Sequence, residues 1–220
     1  MDVEYVGEVF NAHHPATPIV LGDFELMKGW PGTIDGTNAG PAALGERSAE
    51  RLVYSPQTMD HPVAVFRRGA ELWMVSNEAS EASMGADFEA ELVRDQVTEP
   101  FQPSSTGYVH VNSGGLVITL SYNSTPAADV DTSEWDEEEN FVPGETPQLP
   151  ATVPDDAAAF DDQLIVLRVE PGAYRVESSV ERHREGGWVR VRISPCPADA
   201  VEPYFEGIDW DDAFEYETTT

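Results

Sequence analysis

The chain has 220 residues, with 41 acidic against 12 basic side chains, a formal charge of −29 at pH 7, 40% hydrophobic residues and one cysteine. That length suits one core rather than several. The charge disfavours nucleic-acid binding, and a single cysteine excludes an intrachain disulfide. No apolar run approaches the ~18 residues of a membrane helix, and the first residues lack the basic-then-apolar order of a signal peptide, so a cytoplasmic protein with no membrane partner is expected.

Lys28 is the only lysine. A surface of carboxylates with almost no lysine suits a salt-adapted cytoplasm, because at ~1 M salt the Debye length falls to about 3 Å and neighbouring carboxylates hardly repel. The alternative is a functional acidic surface that mimics the nucleic-acid backbone. Concentrated salt screens the attraction such a mimic depends on, so the expectation is a halophilic source.

Taken in chain order, "NAGPAALGERSAERLVYS" is the best helix candidate, beginning near Pro41. "HPVAVFRRGAELWMVS" reads as a hairpin, with strands at 63–66 and 71–76 around a turn holding Gly69. "SEASMGADFEAELVRDQ" is a weaker helix, interrupted by Gly85. In "GYVHVNSGGLVITLSYN", Val109, Val111, Leu116, Ile118 and Leu120 alternate with Tyr108, His110, Val117, Thr119 and Ser121 about a turn at 112–115, which predicts a second hairpin with one buried face.

From Asn123 to Asp162 the chain carries twelve acidic residues, five prolines and no basic residue, and is expected as a long acidic loop joining two strands. "DQLIVLRVEPGAYRVESSVE" follows as a third hairpin, with Pro171-Gly172 in a type II turn. After Gly186-Gly187, "WVRVRIS" alternates again. The last stretch, 201–220, is acidic and holds Tyr204, Phe205, Trp210, Phe214 and Tyr216, a density of aromatics that suggests docking on the domain or on a partner.

Six of the eleven arginines fall between Arg168 and Pro195. With Val189, Val191 and Ile193 facing inward, Trp188, Arg190 and Arg192 share the opposite face with Arg175, Glu177 and Glu181. Two readings of that solvent face stand side by side. It can be a ladder of cross-strand ion pairs, each stabilising by about 0.2–1 kcal/mol, or a binding patch in which Trp188, Arg190, Arg192 and Arg175 receive acidic groups, with Trp210 and Phe214 of the tail as further protein-binding residues.

Chemistry-bearing motifs are lacking. His13, His14, His61, His110 and His183 show no metal-ligand spacing with one another or with Cys196. No HExxH, phosphate-cradling loop, dinucleotide fingerprint or nucleophile elbow occurs. "DVDTSEWDEEE" has alternate oxygen ligands without the glycine of a calcium loop. No enzyme, cofactor or metal is expected.

"RDQVTEPFQPSSTGYVHVNSGGLVITLSY" followed by "QLIVLRVEPGAYRVESSVER" resembles the competence protein J group, inhibitors of a DNA-entry nuclease. The matching positions are Pro100-Phe101, Gly107 to Val111 and Leu164 to Tyr174, with "HPVAVFRRG" as the preceding apolar strand. They cover about half the chain. The acidic insertion at 123–162, the N-terminal region and the aromatic tail depart from that pattern.

The expectation is therefore a mostly β chain: an antiparallel β-sandwich over 1–200, with one or two short helices, interrupted by the acidic loop at 123–162 and followed by the tail at 201–220. Its expected role is a non-catalytic protein-binding module, an inhibitor or immunity-type partner of a nuclease or other enzyme. The alternative is a structural or accessory component of a virion or envelope-associated assembly.

Overall fold

A computed structural model of the chain describes residues 2–9, 19–28, 33–34, 51–54, 63–79, 94–120, 123–124, 148–156, 158–160, 164–183 and 186–200. Its strands are β1 (Glu4–Val9), β2 (Ile19–Asp23), β3 (Thr33–Ile34), β4 (Arg51–Tyr54), β5 (Val63–Arg68), β6 (Glu71–Ala79), β7 (Ser105–Val111), β8 (Gly115–Leu120), β9 (Asn123–Ser124), β10 (Ala158–Phe160), β11 (Leu164–Arg168), β12 (Gly172–His183) and β13 (Gly186–Cys196). One short helix, α1 (Phe24–Met27), follows β2, with the Asp23 carboxylate accepting from the Glu25 amide as its cap.

Two antiparallel sheets hold most of these strands. The first runs β1-β5-β6-β13-β12-β7 and the second β10-β11-β8-β2-β4, while β3 and β9 form a separate parallel pair. Val65, Met74, Val109, Val111, Tyr174, Val176, Val191 and Ile193 of the first sheet meet Ile19, Leu21, Leu116, Ile118, Ile165 and Leu167 of the second in one buried cluster. The chain is a mostly β sandwich, and each of its large aliphatic side chains contributes roughly 1.5–3 kcal/mol on burial. At the sides, β1 approaches β10 and β11, and β7 lies beside β2 and β4, so the edges of the two sheets face one another.

Two of the three expected hairpins are corners instead. β7 pairs with β12 and β8 pairs with β2 and β11, so the chain at 112–114 passes from one sheet to the other. Gly114 takes φ 77° there, and the Ser113 amide donates to the buried Asp23 carboxylate at 2.7 Å. Likewise β11 pairs with β8 while β12 pairs with β13 and β7, which makes 169–171 a second crossing. Gly172 is not in the left-handed region, so no type II turn forms at Pro171-Gly172. What fixes the corner is Tyr174, whose buried hydroxyl donates to the Glu170 carbonyl at 2.6 Å, the tyrosine-corner contact of Greek-key sandwiches. The β5–β6 and β12–β13 hairpins form, with Gly69 at φ 63° in the first.

Both outer faces are covered by the chain's own connections. On the second sheet, α1 and residues 148–156 pack Phe24, Met27, Leu149 and Val153 over Val20, Val117, Leu164 and Val166. Arg168 fastens that cover by donating to the Val153 and Pro154 carbonyls at 3.0 and 3.3 Å. The expected acidic loop therefore contains β9, a packed stretch and β10; its remaining residues lie outside the described ones. On the first sheet the cover is residues 94–104, the described part of the chain between β6 and β7, two strands that β13 and β12 separate in the sheet. The helix expected to end in "RLVYS" gives way at Arg51–Tyr54 to β4, which pairs with β2.

Candidate functional site

Alternation along β13 turns Val189, Val191 and Ile193 into the central core and presents Trp188, Arg190 and Arg192 to the opposite face. The solvent face expected for them is a covered one. Arg190 is 0% exposed, among the largest fully buried side chains of the molecule. Its cover is residues 94–104, a strap that includes a 3-10 turn at Asp95–Val97.

A strap crossing a sheet carries backbone groups with no strand to bond, and buried carbonyls need donors. Arginines supply them. Arg190 donates from Nη1 to the Gln96 carbonyl at 3.3 Å and from Nη2 to the Pro100 carbonyl at 2.9 Å, and also bonds the Glu181 carboxylate. Arg68 donates to the Val97 carbonyl at 2.9 Å. The strap is anchored at its far end by the Ser104 amide, which donates to the Ser178 carbonyl at 2.7 Å.

The apolar side of the strap faces the same surface. Val97 is buried with Ala64, Phe66, Trp73 and Val75, and Phe101 and Trp188 pack against that cluster. Phe101 meets Trp73 edge-on with ring centroids 5.1 Å apart. Trp188, which the sequence leaves on a wet face without a reason, is half-buried at the rim of this second core. Burial pushes the Arg190 guanidinium below its ordinary value, with the Glu99 carboxylate opposing that shift; a guanidinium remains charged nonetheless.

Glu177 and Arg192 are register partners, and Arg192 donates from Nε and Nη2 to one Glu177 oxygen at 3.2 and 2.7 Å. The Arg192 guanidinium also lies 4.7 Å from the Phe101 ring centroid and 5.9 Å from that of Trp73. This is the cross-strand ladder of the sequence reading, with one change: Glu181 stands opposite Trp188 in register and reaches Arg190 diagonally.

Arg175 is half-buried on the same face, between Ser194 of β13 and Tyr108 of β7. Trp210 and Phe214 lie outside the described residues. Cys196 is a half-buried free thiol, raised by burial against the opposing pull of Arg175. Among the described residues no group of His, Cys, Asp and Glu is arranged to hold a metal ion, and no helix is long and apolar enough to cross a membrane.

Among the described residues, the charged side chains that face water are mainly acidic. Asp2, Glu4, Glu25, Asp95, Glu99, Asp155, Asp156, Glu170 and Asp199 are exposed, while Arg190, Arg192 and Arg68 are engaged beneath the strap. Asp95 and Glu99 stand on the strap itself, above the cations that hold it. No family model, curated protein or solved structure matches the chain.

Proposed function

We propose that this chain is a non-catalytic, cytoplasmic protein-binding module, acting as an inhibitor or immunity-type partner of a nuclease or of another enzyme with a basic surface. The observation that supports this reading is the division of charge. Arg68, Arg190 and Arg192 of the first sheet are engaged beneath the chain's own strap, and the exposed charged residues among those described are mainly carboxylates. Such a surface recognises a cationic patch through complementary potential rather than through a pocket. The resemblance to the competence protein J group supports the same class of partner.

The test is capture on the full-length chain at native salt, followed by mass measurement of the complex and titration of the captured enzyme. The expected result is one basic enzyme at a fixed low stoichiometry, whose turnover falls in proportion to the chain added. Recovery of a high-order assembly, or an enzyme whose rate is unaffected by saturating chain, overturns this reading; the assembly would instead support a structural or accessory role.

A further inference from the structure

Four arginines point outward from the first sheet among the described side chains, and three are engaged: Arg68 and Arg190 by the strap, Arg192 by Glu177. Arg175 makes no hydrogen bond or ion pair among the described residues, and its Nε is shielded from solvent with no acceptor. A shielded, unsatisfied guanidinium nitrogen costs free energy that an approaching carboxylate recovers.

In register beside Arg175 are Tyr108 and Ser194, and in the next outward row are His110, Ala173 and Cys196. Tyr108 and Ala173 are only 8% and 4% exposed although they lie on the outward face. The strap's hydrogen bonds to this sheet go to Ser178, Arg190 and Arg68, towards the other end of these strands.

The chain leaves the sheet at this same end. β13 finishes at Cys196, in register with Ala173, and a 3-10 turn at Ala198–Ala200 follows. That exit is two residues, or roughly 7 Å along the strand, from the Arg175 row. The sequence that continues, "VEPYFEGIDWDDAFEYETTT", carries seven carboxylates, five aromatic rings and no basic residue. A tether this short keeps the effective concentration of that segment in the millimolar range.

We propose that residues 201–220 dock in cis on this end of the first sheet, with a tail carboxylate on the Arg175 guanidinium and tail aromatics packed beside it. The occupant is the chain's own terminus, because it supplies the charge and the rings and starts beside the site. Docking completes the pattern in which each outward arginine of this sheet holds another part of the same chain. It does not depend on the identity of any partner.

Hydrogen exchange on the full-length chain tests this. In the wild type, amides between 204 and 217 are expected to exchange at least about tenfold more slowly than unstructured peptide. Arg175→Glu is expected to abolish that protection while β13 amides stay unchanged. A second variant leaves the sheet untouched: Asp209→Lys with Asp211→Lys and Asp212→Lys is expected to release the tail in the same way. Absence of protection in the wild type, or protection unchanged in the tail variant, overturns the proposal. Protection that disappears on dilution also overturns it, because the site would then hold the tail of a second copy.

Discussion

Arg190 donates from Nη2 to the carbonyl of Pro100 at 2.9 Å, across 90 positions of sequence. That bond joins a strand to the connection that crosses it, and it gives a reason for an arginine at this position of β13 in so acidic a chain. A Greek-key crossover lays unpaired carbonyls on an apolar surface, and a guanidinium can reach two of them and a carboxylate at once. The charge on β13 serves the fold.

Arg190→Met keeps most of the side-chain volume and removes the donors, so the Gln96 and Pro100 carbonyls lose their partners under the strap. The expected cost is about 2–4 kcal/mol, since each buried acceptor left unmade costs roughly 1–3 kcal/mol. Urea unfolding measures it, and hydrogen exchange at 96–104 should rise more than in β8. A loss below about 0.5 kcal/mol would show that water replaces the guanidinium freely.

Gly115 tests the cover of the second sheet. A Cβ at this position would come within 2.5 Å of Val153 Cγ2 and 2.8 Å of Phe24 Cβ. Gly115→Ala is expected to destabilise by about 1–3 kcal/mol through overpacking. Val153→Ala in the same chain should recover part of that loss, because the Phe24 contact remains. A double-mutant cycle reads the coupling; additive effects would mean that residues 148–156 are not held against α1 in solution.

The parts of this architecture that the sequence reveals, and those it hides, share one cause. Val109, Val111, Leu116 and Ile118 alternate in the same way whether the two arms pair as a hairpin or part into facing sheets, since both arrangements point them at one core. Alternation thus marks the buried faces and leaves the pairing open. The strap is hidden because "DQVTEPFQP" has no period, and Arg190 because an arginine on an alternating strand reads as outward and therefore wet. A signal was present in "VAVF", "LWMV" and "LIVL", where both parities are apolar. Continuous apolar runs mark strands covered on both faces, and Ala64, Phe66, Trp73 and Val75 are buried on the side that a one-sided sheet would leave to water.

Tyr174 gives a pH dependence of known sign. Burial first, and the Glu170 carboxylate second, raise its phenol above the ordinary value of 10.0. Below that value folded and unfolded chains both hold the proton. Above it the unfolded chain releases its proton first, so stability falls with rising pH until the folded value is passed. Tyr174→Phe is expected to lose about 0.5–1.5 kcal/mol near neutral pH with the bond to Glu170. It should also show a shallower decline as the pH rises above the ordinary value of 10.0, so that the two stability curves converge. Parallel curves would assign the alkaline loss to other groups.

Salt is the remaining lever, and the division of charge sets its direction. Arg190 and Arg192 lie beneath the strap, Asp95, Glu99, Asp156 and Glu170 are exposed, and the chain as a whole has a formal charge of −29. Folding brings those charges closer together, so their repulsion opposes the compact state and screening relieves it. The Debye length falls from about 10 Å at 0.1 M to about 3 Å at 1 M salt, which separates neighbouring surface carboxylates electrostatically while leaving the contacts of the buried Arg190 nearly unscreened. The melting temperature is therefore expected to rise continuously between 0.1 M and molar KCl, and the loss caused by Arg190→Met is expected to stay constant over that range. A flat melting temperature would remove salt adaptation as the reason for the acidity, and a basic partner would then be the remaining explanation for the carboxylate surface. A cost of Arg190→Met that shrinks with salt would instead mean that the strap opens to solvent.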